Sequence, residues 1–244
     1  MVQTGKTAAL LIIGNEVLSG RTQDKNTSWL ASQLCDMGIV LQEVRIIPDK
    51  EDIIVETLNA LRKTVNYVFT TGGIGPTHDD ITAESVAKAF GVSLERNQDA
   101  YQALLHHYKD EAELTKARLK MAMIPQGAEL IDNPVSGAPG FCIENVYVMA
   151  GVPKIMQGMF HGVRPVLEAG KPILSETIAC DLAESVIAGA LQIVQDKYPS
   201  IDIGSYPSYR DGKPHVSIVL RGTDEQDIQS SVQEVQDAVA RLAV

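Results

Sequence analysis

Three times in the first ninety residues, a short apolar run is followed by a segment whose apolar residues recur at helical spacing. Ala8–Ile13 is short, apolar and closed by Gly14, the pattern of a buried strand. Asn26 and Thr27 can start a helix, Leu30, Leu34 and Met37 give it a buried face, and Gly38 stops it. Ile39–Ile47 is rich in β-branched residues and ends at Pro48, which predicts a second strand. Asp49, with Asp52 three residues on, reads as the cap of a helix that buries Ile54, Leu58 and Leu61. Tyr67–Thr71 is the third strand, and Ala83, Val86, Ala87 and Phe90 fall at i, i+3, i+4 and i+7 of a third helix. Strict alternation of this kind predicts an α/β fold, a mostly parallel sheet with helices on both faces. Ligands in such folds sit beyond the carboxyl ends of the strands.

Downstream the pattern is less regular. Asn97–Ile124 reads as mostly helical, with Lys109–Lys120 a charged, exposed stretch. His106 and His107 are neighbours there and point in different directions on a helix, so solvent exposure is expected rather than a shared metal. Glu129–Ile131 and Asn145–Ala150 are strand candidates, separated by the Pro/Gly-rich loop Asn133–Gly140. Pro153 takes the favoured first position of a helix whose stripe is Ile155, Met156, Met159, Phe160 and Val163. Gly170-Lys171-Pro172 reads as a boundary, dividing an α/β domain, 1–170, from a small α+β domain, 171–244. The tail reads β-α-β-β-α. Asp181 and Glu184 form an expected capping box, and a final helix carries Ile228, Val232, Val235, Val239 and Leu242.

The composition bounds the partners. A formal net charge of −10 disfavours nucleic acid, which selects a basic face. The three cysteines are widely spaced and contain no C-x-x-C, which points to reduced thiols in a cytoplasmic protein and not to a zinc site. The lead Met1–Lys6 opens onto an apolar run too short to cross a membrane, so no membrane association is expected.

The chemistry concentrates at the end of the third strand, in Thr71-Gly72-Gly73-Ile74-Gly75-Pro76-Thr77-His78-Asp79-Asp80-Ile81-Thr82. Glycines let a backbone approach a ligand and turn its amides outward, and the helix that follows offers unpaired N–H groups. Together these suit a phosphate. Asp79 and Asp80 would repel that phosphate unless a divalent cation lay between; alternatively, one of them only caps the helix. Glu16, just past the first strand, is a candidate third carboxylate, and an exposed turn acid if it stands alone. His78 is a candidate acid or base, or a solvent-facing turn residue. Neither G-x-G-x-x-G nor G-x-x-x-x-G-K-[ST] occurs at this turn, which argues against a dinucleotide fingerprint and a P-loop.

Gly14–Gly20, Asn26, Thr71–Thr82, Asn133-Pro134 with Ala138–Phe141, and Ala150–Pro153 resemble, in order and spacing, the molybdopterin-binding-like domain of the MoaB/MogA superfamily. More narrowly they resemble the N-terminal domain of the CinA family and the corresponding domain of eukaryotic FAD synthase. Gly204–Pro207 extends the resemblance to the tail. The resemblance implies a MoaB/MogA-like fold, a homo-oligomer and metal-dependent hydrolysis of a nucleotide pyrophosphate of the ADP-ribose or FAD class. Asp79, Asp80 and His78 would be catalytic, and Glu16, Asp79 and Asp80 would hold Mg2+, Mn2+ or Co2+. Gly72, Gly73, Gly75, Thr77, Asn26, Ser136, Gly140, Gly151 and Pro153 would contact the ligand. The alternative is non-hydrolytic binding of molybdopterin, or a related pterin phosphate or nucleotide, in molybdenum cofactor biosynthesis. Asn15 stands where the CinA family usually has aspartate, which removes one candidate ligand charge. The ~70 residues of tail are too few for an amidase or a nucleotidyl-transferring domain.

Overall fold

The first and third apolar runs are neighbours in one sheet, hydrogen-bonded side by side. The computed structural model describes residues 5–210 and 212–243. Met1–Thr4 of the N-terminal lead, Asp211 and Val244 lie outside them. Two compact units emerge, Lys6–Leu34 with Ile39–Glu168, and Ala169 onward with Gly5 and Cys35–Gly38.

The larger unit begins with β1 (Lys6–Ile13), a short turn of helix α1 (Asn15–Leu18), α2 (Asn26–Asp36), β2 (Ile39–Ile47), α3 (Glu51–Leu61), β3 (Tyr67–Thr71) and α4 (Thr82–Phe90). It continues through β4 (Leu94–Arg96), α5 (Gln98–Tyr108), α6 (Lys116–Lys120), β5 (Met123–Pro125), β6 (Glu129–Ile131), β7 (Gly140–Ile143), β8 (Val146–Met149) and α7 (Pro153–Val163). Its six-stranded sheet has the order β2-β1-β3-β8-β7-β6. The pairs β1–β2, β1–β3 and β3–β8 are parallel, and the β6-β7-β8 edge is antiparallel. Ile54, Leu58 and Leu61 of α3 and Val86 of α4 pack on one face, against Ala9, Leu11 and Val68. The other face carries Phe69, whose ring meets Phe160 of α7 edge-on at 5.8 Å, and Trp29 of α2 meets the same Phe160 at 5.5 Å. The central strand β3 is buried at all five positions, as a strand covered on both faces must be.

Several local expectations are corrected. Asn97–Ile124 is not one helical stretch. It breaks at Lys109, which adopts φ 62°, and ends in β5, which pairs antiparallel with β4. These strands are three residues each and too short to carry a periodicity. Gly140 opens strand β7 and does not close a loop. The Asp49 carboxylate does not cap α3; it accepts the backbone N–H of Asn15 at 2.9 Å. His106 and His107 are exposed, as two adjacent helical histidines with no shared partner should be.

The smaller unit contains β9 (Leu174–Cys180), α8 (Glu184–Lys197), β10 (Asp202–Arg210), β11 (Lys213–Gly222) and α9 (Glu225–Leu242), with antiparallel strand order β10-β11-β9. Ile187 and Val194 of α8 and Ile228 and Val235 of α9 pack on Ile178, Ile218 and Leu220. The expected Asp181/Glu184 capping box does not form. Asp181 pairs with Nδ1 of buried His215 at 2.7 Å, and Glu184 accepts the Ser205 hydroxyl. Both carboxylates are drawn to strand partners and away from the helix amides. Leu242, expected in the apolar stripe of α9, is the last residue of that helix and is 41% exposed. Among the described residues no helix is long and apolar enough to cross a membrane.

One position ties the sheet to the loop chemistry. Gly72 has φ +104°, and a Cβ there would lie 2.1 Å from the Ile13 carbonyl oxygen. Gly72→Ala combines a conformation that L-residues rarely adopt with a clash against backbone. Its expected cost is about 2 kcal/mol or more, read as a lower urea midpoint at unchanged slope.

Candidate functional site

Parallel pairing of β1, β3 and β8 brings their carboxyl ends to one edge of the sheet. Three backbone segments converge there. Gly72 follows β3 and lies against Ile13 of β1, and a Cβ on Gly151, just past β8, would sit 3.2 Å from the Gly72 Cα. Asn26, at the start of α2, donates its side-chain N–H to the Gly151 carbonyl at 2.8 Å. Asp24 caps the same helix by accepting the Asn26 amide at 2.9 Å. Asn26 is 5% exposed, and its Oδ1 has no partner among the described residues.

The loop is folded back onto the helix that follows it. Thr82, the first residue of α4, donates its hydroxyl to the Gly72 carbonyl and its amide to the Gly73 carbonyl, both at 3.0 Å. Gly73 has φ +67°, and a Cβ there would strike the Thr82 hydroxyl. These bonds use the two carbonyls and fix the loop against the start of α4. The amide of Gly72 itself donates to the Met149 carbonyl at 3.1 Å, so its expected role as a phosphate donor is corrected to a close-packing role. It extends the β3–β8 ladder by one bond. The amides of Gly73, Ile74 and Gly75 have no protein acceptor among the described residues, and those of Ala83 and Glu84 lie in the first turn of α4, where no intrahelical partner exists. The dipole of α4 adds partial positive charge at the same place.

The paired aspartates do not cap α4, whose N-cap residue Ile81 provides no side-chain bond. They gather round Thr77 instead. The Thr77 hydroxyl lies 2.5 Å from an oxygen of Asp79 and 2.5 Å from an oxygen of Asp80, and the Thr77 amide donates to that same Asp80 oxygen at 2.8 Å. A hydroxyl carries one hydrogen, so it satisfies one of the two carboxylates and leaves the other facing an oxygen lone pair. The Asp80 carboxylate is seated over Gly75, where a Cβ would lie 2.7 Å from it. The Thr77 hydroxyl holds the Asp79 carboxyl below its usual range; its own backbone amide helps most after that, and His78 and Lys120 contribute less.

Two carboxylates converging on one hydroxyl fit a divalent cation of the Mg2+ type, which takes one or two protein carboxylates and completes its shell with phosphate and water. Glu16 is exposed, and its carboxylate folds over Gly14. Among the described residues no group of three or more His, Cys, Asp or Glu side chains is gathered to hold a metal, so Glu16, Asp79 and Asp80 are not assembled into a ready-made site. His78 projects into solvent, 98% exposed, with its ring nitrogen 4.0 Å from Asp79.

Beside the loop lies a cavity of about 310 Å3. Gly75, Asn133, Ser136 and Gly151 line it together with apolar surface from Ile74 and Ile155. It therefore unites three of the expected ligand residues, Gly75, Ser136 and Gly151. Asn133 is a further lining residue, one that the sequence marks as part of a motif but not as a ligand contact. It is 3% exposed, accepts the amides of Val135 and Ser136 at 3.1 Å and donates to the Ser136 hydroxyl and the Ala138 carbonyl. An Asn followed by Pro in a Gly-rich loop is the signal for such a side-chain-organised turn. Two other expected contacts have packing roles. Gly140 is buried in β7, where a Cβ would lie 2.3 Å from the Val148 carbonyl, and Pro153 starts α7 outside the cavity lining.

Lys120, which the sequence places in an exposed charged stretch, also comes to the loop. It ends α6, is half-buried, and donates to the Thr77 carbonyl at 3.0 Å. The β4–β5 pairing carries it to the loop, a long-range placement that no local pattern encodes.

Residues 9–169 match the family described as Probable molybdopterin binding domain, and residues 172–244 match FAD synthase, middle domain. A protein of Archaeoglobus fulgidus is 34% identical over 230 residues, covering 93% of this chain and 96% of its own length. A protein of Aeropyrum pernix is 34% identical over 248 residues, covering 96% of this chain and 92% of its own length. The crystal structure of the protein CinA from Thermoplasma acidophilum is 34% identical, with a TM-score of 0.63, and covers 66% of this chain and 98% of that one. The sheet whose edge presents the Gly-rich turn is thus that of a known domain, and the chain belongs to the probable molybdopterin binding domain family, in a CinA-like form followed by a segment that matches the FAD synthase middle domain.

Proposed function

We propose that the larger unit hydrolyses the pyrophosphate bond of a nucleotide of the ADP-ribose or FAD class, with a divalent ion held by Asp79 and Asp80. The observation that carries this reading is the juxtaposition of unpaired amides at Gly73–Gly75 with two carboxylates sharing the Thr77 hydroxyl. Free amides at a helix N-terminus attract phosphate, and paired carboxylates repel it; only a cation between them reconciles the two. The ion, when bound, neutralises phosphoryl charge and acidifies a water.

The chain's own residues supply the rest. The amides of Gly73 and Gly75 orient a non-bridging phosphate oxygen. Thr77 fixes the spacing of the two carboxylates. The cavity lined by Gly75, Ser136 and Gly151 receives the ring system of the substrate on its apolar wall. Water adds to one phosphorus, and the bridging oxygen leaves with the other phosphate. His78, at the solvent rim, is in position to take up or return a proton by way of water.

A second reading has its own support. The family is described by molybdopterin binding, and the same cavity and amides suit a pterin phosphate without hydrolysis.

Incubation of the full chain with FAD and ADP-ribose, each with Mg2+, Mn2+ or Co2+, decides between them. The expected products are the two phosphate monoesters, FMN with AMP and ribose 5-phosphate with AMP. No cleavage with any ion, together with tight molybdopterin binding, would replace the first reading by the second. Given turnover, Asp79→Asn and Asp80→Asn should each lower it by about a hundredfold or more and raise the metal concentration for half-maximal rate. Asp79 is 59% exposed, so its variant should melt within a few degrees of the wild type. If both variants are as active as the wild type, the aspartates only shape the loop.

A further inference from the structure

Lys120 reaches the loop from a part of the chain that the proposed chemistry does not use. Its ammonium holds the Thr77 carbonyl at 3.0 Å, while the Thr77 hydroxyl lies 2.5 Å from each aspartate. Three charged groups are therefore arranged about one residue, two negative and one positive. Lys120 also lines a narrow crevice with Gly73, Gly75, Asp80, Ala83 and Glu84. The crevice has a volume of about 20 Å3, room for a single water or ion. Gly73, Gly75, Asp80 and Lys120 thus share the wall of one small crevice, whose remaining wall is largely apolar, from residues such as Leu94, Met123 and Phe141.

The geometry points to Lys120 as a built-in counter-ion of the Asp79–Asp80 pair, which opposes binding of the divalent ion and pairs with the phosphoryl group once that ion is in place. This rests on the pyrophosphate reading. It makes Lys120 a positioning residue whose charge acts on the metal and the phosphate in opposite directions. Without ligand, the ammonium is held by the Thr77 carbonyl, and from there its charge favours the Asp79 carboxylate, by less than the Thr77 hydroxyl does. A divalent ion entering beside it meets a like charge. A phosphoryl group entering afterwards meets an opposite one. At about 6 Å in a water-like medium, a unit charge changes the affinity of a singly charged partner about threefold and of a doubly charged one about tenfold.

The opposite signs separate this role from a structural one. A residue that only braces the loop would, when removed, weaken both ligands. The test is calorimetric titration of the full chain, first with Mn2+ alone, then with inorganic pyrophosphate at saturating Mn2+. Lys120→Met should tighten Mn2+ binding about three- to tenfold and weaken pyrophosphate binding by a similar factor. Lys120→Arg, which keeps the charge, should hold both affinities within about twofold of the wild type. Circular dichroism and melting of each variant check that the fold is intact. Lys120→Met that weakens both ligands, or changes neither, overturns the assignment. If the wild type hydrolyses FAD or ADP-ribose while Lys120→Met leaves both affinities unchanged, only the lysine assignment falls. If the wild type binds no Mn2+ and cleaves neither nucleotide, the pyrophosphate reading and the lysine assignment fall together.

Discussion

The close approach of Gly72 to the Ile13 carbonyl governs the whole carboxyl edge of the larger unit. With no Cβ at Gly72, the chain leaving β3 can turn across the end of β1 and still donate to Met149 on β8. This places Gly151 against Gly72 and lets Asn26 reach the Gly151 carbonyl. From the same turn, the Gly72 and Gly73 carbonyls are directed to Thr82, so α4 begins where the loop needs it. Any side chain at Gly72 would separate these segments. The rest of the loop is built on that contact, with the Gly72 and Gly73 carbonyls engaged and the Gly73, Ile74 and Gly75 amides without an acceptor among the described residues.

Electrostatics then gives the loop its asymmetry. One side presents unpaired amides and a helix dipole; the other presents Asp79 and Asp80. In a chain of net charge −10, a phosphate is drawn to such a place only by local charge. Thr77 is the pivot. Its amide and hydroxyl face the carboxylates, and its carbonyl faces Lys120, so one residue sets the spacing of all three charges.

The β-α-β-α-β-α order was legible because its three strands and three long helices each show their pattern, whereas α1, of four residues, is too short to do so. The motif Thr71–Thr82 was legible for a different reason: a plain turn needs one glycine or one proline, so three glycines, a proline and two adjacent acids stand out. The three-residue strands β4 and β5 were not legible, since so short a segment has no pattern. Asp49 and Asp181 misled, because a carboxylate before a helix looks the same whether it caps that helix or reaches another segment. Gly140 misled in the same way: a glycine kept for a neighbouring carbonyl in a sheet is indistinguishable in sequence from one kept for a ligand.

Sequence by itself determined which segments are strands and helices, that β1 and β3 end on glycine-bearing turns, and that carboxylates and flexible backbone occur together. These are properties of residues close in the chain, where spacing and side-chain type act directly. Only the tertiary structure decided that Glu16, Asp79 and Asp80 form no ready-made metal group among the described residues, that the Gly72 amide is already engaged, that Asn133 lines the cavity and that Lys120 reaches Thr77. The physical reason is range. A hydrogen bond or a charge contact acts over a few ångströms in space, and pairings such as β4 with β5 bring within that distance residues that are remote along the chain.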